Sequence, residues 1–244
     1  MDSSRIDSAA LHSSLRRLSE QGEQSDLYRS LNRVIDATSQ LFSVDGGGLM
    51  FADDQGELHY VIASAEPSRV LESVQIETGQ GPCVDTYLHD RVTVCNDLST
   101  DERYPVAAPQ IVPHGIRAVL GVPIRLSGLP IGSLDIYVGR PYEFDESEIR
   151  ALTSYGEVVD AMVQAAVAAS HTGQLADQLS YALDYRAPIE RGIGFLMARD
   201  RLDQAAAFAK LRSAARASRR KLDEVATALL AEGRLPGEHD AHPH

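Results

Sequence analysis

Residues 115–139 read "GIRAVLGVPIRLSGLPIGSLDIYVG", and this stretch decides the fold. Two runs rich in β-branched residues, "RAVLGVPIRL" and "PIGSLDIYVG", are separated only by "LSGLP". Runs of this kind bounded by Gly, Pro and Ser read as strands, and a Ser-Gly pair between them reads as a tight turn. Strands joined by so short a loop must run antiparallel. The chain is therefore organised around an antiparallel sheet.

Working outward, "GGLMFAD" and "ELHYVIAS" have the same character, with "ADDQGE" as the turn between them. Upstream of these, Leu27, Leu31, Val34, Ile35 and Leu41 repeat at helical spacing and predict an amphipathic helix from Asp26 to the "VDGGG" break. Residues 1–24 are Ser-rich, with only Leu11, Leu15 and Leu18 at helical spacing, and are expected to form a flexible arm. Downstream, "FDESE" predicts a helix start: Asp145 can cap it, with Glu146 and Glu148 at the positive end of its dipole. The helix runs long, and Leu152, Tyr155, Val159, Met162, Ala166 and Ala169 alternate by threes and fours, the seam spacing of a coiled coil. Leu175, Leu179, Ala182 and Leu183 resume an apolar stripe beyond it. Helices flanking an antiparallel sheet make the class α+β.

Composition excludes several functions. Among 244 residues, 43% are apolar and 24% charged, an ordinary globular balance. No apolar run is long enough for a membrane span and no signal-peptide pattern is present, so a cytoplasmic location is expected. Cys83 and Cys95 are too few for a disulfide framework and lack metal-ligand spacing, so no metal is expected. The net charge of −12 argues against nucleic-acid binding by the molecule as a whole, since phosphate contacts come from Lys and Arg. That charge is uneven: residues 1–174 carry 12 basic against 25 acidic side chains, whereas residues 175–234 carry 11 against 8. Opposite balances in two parts suggest two jobs.

The first part resembles a GAF domain of bacterial sensors. The resemblance rests on "GQGPC" (residues 79–83), the "VCNDLSTDERYP" connection, "GIRAVLGVPIRL" with its hairpin into "IGSLDIYV", and the acidic start of the closing helix. It implies a central antiparallel sheet with helices on one side and a small-molecule pocket or protein contact on the other. Gly81, Cys83, Tyr87 and Tyr137 are the candidate pocket residues. The ligand and any cofactor are not identified by the sequence, and no catalytic nucleophile and base can be placed from spacing.

The C-terminal part carries the remaining chemistry. "PIERGIGFLMARD" reads as a helix from Pro188 with Ile189, Ile193, Leu196 and Met197 on a core face. Phe195 falls on the other side, one turn from Arg191 and from Arg199. An aromatic ring between guanidinium groups suits base stacking with phosphate contacts. In "DQAAAFAKLRSAARASRRK", Phe208, Leu211 and Ala215 form a core stripe while Arg212, Arg216, Arg219 and Arg220 form a ridge, with "SRRK" turning before "LDEVATALL". Three short amphipathic helices close a small bundle. Arginine, the dominant cation here, is suited to stacking and bidentate phosphate contacts.

These residues resemble an ANTAR domain, an RNA-binding module of bacterial transcription antiterminators. The match runs through Ala182, Leu183, Arg186, Ile189, Gly194, Leu196 and Met197, then Ala207, Phe208, Leu211, Arg212 and Ala215, then Leu222, Val225 and Ala226. It departs from the family pattern at Gly192, Ile193 and Gly194, where Ala-Lys-Gly is common; Arg191 is the candidate substitute for the missing lysine. The resemblance implies a dimer that binds paired hairpins in a nascent leader transcript and prevents the terminator from forming.

The expected organisation is a flexible arm (1–24), a GAF sensor (25–169), a helical connector (170–187), a three-helix ANTAR bundle (188–234) and a flexible tail (235–244). The expected function is signal-responsive RNA binding without enzymatic activity. RNA would be held by Arg186, Arg191, Phe195, Arg199, Arg212, Arg216, Arg219, Arg220 and Lys221. Two other readings stand beside it: thiol redox chemistry at Cys83, and an adaptor whose C-terminal bundle binds protein.

Overall fold

The computed structural model describes residues 5–20, 27–53, 56, 58–168 and 186–238. Strands β1 (Gly46–Ala52), β2 (Leu58–Ala63), β3 (Thr93–Cys95), β4 (Ala118–Leu126) and β5 (Leu129–Val138) form one sheet in the order β2-β1-β5-β4-β3. Every neighbouring pair is antiparallel. The β4–β5 hairpin turns on Ser127 and Gly128, at φ 53° and 84°. Positive φ at both positions gives a type I′ turn, whose twist matches that of the strands it joins. The sequence reading has no strand at β3, where three residues are too few for alternation to register.

Side chains alternate across the sheet, and each face has its own core. On one face Leu49, Phe51, Leu120, Val122, Ile124, Leu134 and Ile136 meet helices α1 (Ser8–Glu20), α2 (Leu27–Phe42) and α6 (Glu146–Ala168). On the other, Met50, Val119 and Tyr137 lie under α3 (Glu66–Thr78), α4 (Pro82–His89) and the short α5 (Ala108–Ile111). The sheet is thus covered on both faces, which is why β4 and β5 are buried along their whole length except the half-buried Arg125.

Two expectations from the sequence are corrected here. Residues 8–20 are not a flexible arm: α1 packs on α2 and α6, burying Ile6 and Leu18, and the Tyr155 hydroxyl donates to Ser14 at 2.7 Å inside the core. The coiled-coil seam is also largely consumed within the chain. Leu152, Tyr155 and Val159 are fully buried with Val163 in the core shared with β4 and α2, while Met162 and Ala166 are half-buried. Ala169, the last seam position, and residues 170–185 of the expected connector lie outside the described residues. The start of α6 matches the sequence reading closely. Asp145 accepts from the Glu148 N–H at 2.9 Å while the Glu148 carboxylate accepts from the Asp145 N–H at 2.8 Å, a reciprocal capping box.

The C-terminal bundle consists of α7 (Arg186–Asp200), α8 (Gln204–Ser218) and α9 (Leu222–Glu232). Asp203 caps α8 by accepting from the Ala206 N–H at 2.7 Å, and Arg219, left-handed at φ 52°, ends it. The "SRRK" turn is therefore where the sequence puts it. Ile189, Ile193, Leu196, Phe208, Leu211, Ala215, Leu222, Val225, Ala226 and Leu229 form the core. Gly192 is part of that packing: a Cβ there would lie 3.1 Å from the Ala226 Cβ, so glycine lets α7 and α9 approach closely. Met197, expected in the core, is exposed, because the buried stripe runs through 189, 192, 193 and 196. The expected tail begins later than residue 235: Leu235 is buried, and its N–H donates to Glu238 at 2.9 Å.

Candidate functional site

Two places carry chemistry. The first lies between the sheet and α3/α4. Period-two alternation puts Ser133, Asp135 and Tyr137 of β5 on this face. Asp135 is paired across the sheet with Gly48 of β1 and Gly121 of β4, so both neighbours lack a side chain. The space is taken by helix residues. A Cβ on Gly48 would collide with the Glu72 carboxylate, and one on Gly121 would lie 2.7 Å from the Thr86 hydroxyl. Gln75 completes the layer, its side-chain oxygen accepting from the Cys83 N–H at 2.9 Å.

This layer is fully buried and polar. Glu72, Gln75, Ser133 and Asp135 are each 0% exposed. Among the described residues, both carboxylate oxygens of Glu72 and of Asp135, the Gln75 amide nitrogen and the Ser133 hydroxyl have no nitrogen or oxygen partner. Burial pushes the Glu72 carboxyl well above the usual carboxylate range, and the nearby Asp135 adds to it. Burial also raises Asp135. Two acids in one dry space cannot both ionise cheaply, so they hold at least one proton at neutral pH. Buried polar groups are ordinarily hydrogen-bonded, so this layer stands out in the sensor core.

The four candidate pocket residues fall here unevenly. Cys83 and Tyr137 border the acid pair, and the Tyr137 hydroxyl meets Ser68. Gly81 precedes α4 at φ 140°, where a Cβ would strike the Gln75 side chain. Tyr87 sits one turn after Cys83 and reaches the other way, towards the C-terminal bundle. Glu72, Gln75, Ser133 and Asp135 are absent from the sequence reading. Burial first, then Asp135, pushes the Cys83 thiol up, so it is a protonated, inaccessible thiol without the exposure that thiolate chemistry needs.

The second place is the bundle's cationic surface. Gly192 lies beside Leu211, where α7 and α8 pack together. The two helices and the turn after α8 carry Arg191, Arg216, Arg219, Arg220 and Lys221, all exposed, with Arg220 paired to Glu224. Arg186 begins α7, and its side chain lies outside the described residues. Phe195 is half-buried at the margin of the core, with the Arg199 guanidinium 5.8 Å from its ring centre. Arg199 is held by acids: it donates to Asp200 and to Glu238, which also hold Lys210. These hydrogen bonds hold Asp200 well below the usual carboxylate range.

Arg212 stands apart. It is 9% exposed, its guanidinium lies 5.0 Å from the centre of the Tyr87 ring, and it donates to the Gly56 carbonyl at 3.5 Å. Phe208, one turn earlier, meets Tyr87 edge-on at 6.1 Å between centroids. The core beneath α4 continues through these contacts into the bundle.

Comparisons with known proteins agree with this division. A GAF domain model matches residues 24–164 and an ANTAR domain model matches residues 177–230. The GAF domain of a phosphoenolpyruvate-protein phosphotransferase from Coxiella burnetii is similar at 20% identity and a TM-score of 0.54, covering 66% of this chain and 96% of that one. Its Acinetobacter counterpart is similar at 17% and 0.51, covering 65% and 96%. Free methionine-R-sulfoxide reductase from Neisseria meningitidis, solved with its substrate, is similar at 15% and 0.50, covering 64% and 90%. At such identities the likeness is one of fold. No curated protein matches the chain.

Proposed function

The chain belongs to the GAF domain family and carries an ANTAR domain behind that fold, and from this premise we propose that it binds paired hairpins in nascent leader transcripts and so prevents termination. GAF domains are sensory, and ANTAR domains belong to RNA-binding antitermination regulators. The observation that carries the finer reading is the exposed set Arg191, Arg216, Arg219, Arg220 and Lys221 on the only basic part of an acidic chain. Phosphate groups can meet these exposed cations, whereas Arg199 covers Phe195 and is itself held by Asp200 and Glu238.

The polar layer around Glu72 and Asp135 is the input in this reading. A small molecule entering it must offer hydrogen-bond donors to the acids and an acceptor to the Gln75 amide. The working form is a dimer in the cytoplasm, where leader transcripts are made, with one hairpin for each bundle. Support for the dimer is the apolar remainder of the α6 seam at Met162 and Ala166, half-buried in one chain.

A gel-shift titration of the full chain with one-hairpin and two-hairpin leader RNAs, across a salt series, tests this. The expected result is a preference for two hairpins, sedimentation of the complex as a dimer, and affinity that falls steeply with salt. No binding to either RNA at low salt would overturn the proposal.

A further inference from the structure

The contact between α8 and α4 uses Arg212, one of the arginines expected to hold RNA, together with Phe208 of the core stripe. Arg212 is a matching position of the ANTAR resemblance, yet it is buried and rests against Tyr87 and Gly56 of the sensor. Its side chain lies across Gly56, where an added Cβ would come within 2.6 Å of the Arg212 Cγ. Gly56 is itself at φ 78°, a conformation that glycine adopts without cost. Phe208 and Tyr87 close the contact on its apolar side.

Among the described residues this burial is only partly compensated. A buried guanidinium is ordinarily held by a carboxylate, often through two parallel hydrogen bonds. Arg212 has no carboxylate partner among the described residues; its Nε is buried without an acceptor, and its bond to Gly56 is long. The contact is also incompletely closed. A cleft beside it is lined by Leu88, His89, Leu129 and Pro130 of the sensor and by Ile193 and Phe208 of the bundle. An RNA phosphate would offer the guanidinium paired acceptors, which the described sensor residues do not.

Resting on the RNA reading above, we propose that the sensor holds the bundle in an autoinhibited state, with α8 docked through Phe208 and Arg212 onto Tyr87 and Gly56. Undocking frees Arg212 for phosphate. The route from input to output is α4 itself: Cys83 borders the acid pair and Tyr87, one turn on, carries the docked arginine. A shift of α4 when the polar layer is filled moves both ends together. Arg212 can hold the sensor or a phosphate but not both, so RNA and the sensor compete for it.

The test leaves the bundle intact and disturbs only the sensor side. In the full chain, Gly56→Val wedges a side chain against Arg212, and Tyr87→Ala removes its platform. Each is expected to raise affinity for the two-hairpin RNA by about tenfold or more, since an apparent dissociation constant scales inversely with the competent fraction. Arg212→Ala should weaken binding more in the Gly56→Val background than alone. Hydrogen exchange in α8 should quicken in both sensor variants, which reads undocking directly even where Tyr87→Ala lowers stability. Unchanged affinity and exchange in the Gly56→Val protein would overturn the docking proposal while leaving RNA binding standing. Absence of RNA binding in the wild type and in both variants, with exchange in α8 still quickened, would overturn the RNA reading, and the inhibition of RNA binding with it.

Discussion

Asp135 shows how one residue's meaning depends on its neighbours across a sheet. In sequence it is a lone acid in a strand, unremarked beside the apolar residues around it. In the fold it lies between Gly48 and Gly121 and faces Glu72. The glycines are visible in the sequence, but register decides that they flank Asp135, and register comes from long-range pairing. Arg212 was more accessible to reading. It lies four residues after Phe208, and that spacing puts both on one helix face, so an arginine assigned to a solvated ridge belongs equally to the stripe that Phe208 begins. By contrast, Asp145 as a cap and the Ser127-Gly128 turn were legible because each is decided within a few residues.

The acid pair makes stability depend on pH. Glu72 has a folded value raised above its unfolded value of 4.5, so the folded state keeps a proton that the unfolded chain releases. Folding is therefore penalised progressively as pH rises from about 4.5 through neutrality, by at most about 1.4 kcal/mol per pH unit for one proton. Asp101 and Glu238, each lowered to about 2, act the other way, but only below the ordinary carboxylate range. Glu72→Gln should thus be more stable than wild type at pH 8, by about 1–3 kcal/mol, with the advantage shrinking by pH 5. Urea denaturation at the two pH values checks this, and a wild-type advantage that grows with pH would refute it.

At the scale of elements, α1 and α6 carry the lesson. Leu11, Leu15 and Leu18 show helical spacing in the sequence, but a short isolated helix is marginal and one of its two packing partners, α6, lies more than a hundred residues away. The seam of α6 is apolar as its spacing predicts, and most of it is covered within the chain. Periodicity identifies a face and says nothing of what covers it; here β4, α2 and α1 do so. Tyr155 joins the two helices through its hydroxyl bond to Ser14. Tyr155→Phe keeps the ring and leaves the buried Ser14 hydroxyl without this donor, and should cost about 1–2 kcal/mol in urea denaturation. A neutral effect would mean that Ser14 finds another partner as α1 shifts.

In the whole molecule, the order and type of the two modules were legible, because each is built from local patterns with its own charge balance. Their docking was not, since no local pattern records that the core under α4 runs on into the bundle. The last consequence of the Arg212–Tyr87 contact is one of timing. If RNA binds only after α8 leaves the sensor, the observed association rate cannot rise indefinitely with RNA concentration; it must level off at the rate of undocking. Stopped-flow mixing should show that plateau in the wild-type chain and a near-linear rise in Gly56→Val. The contact would then act as a clock, setting how much of a leader must be transcribed before the regulator can respond to it.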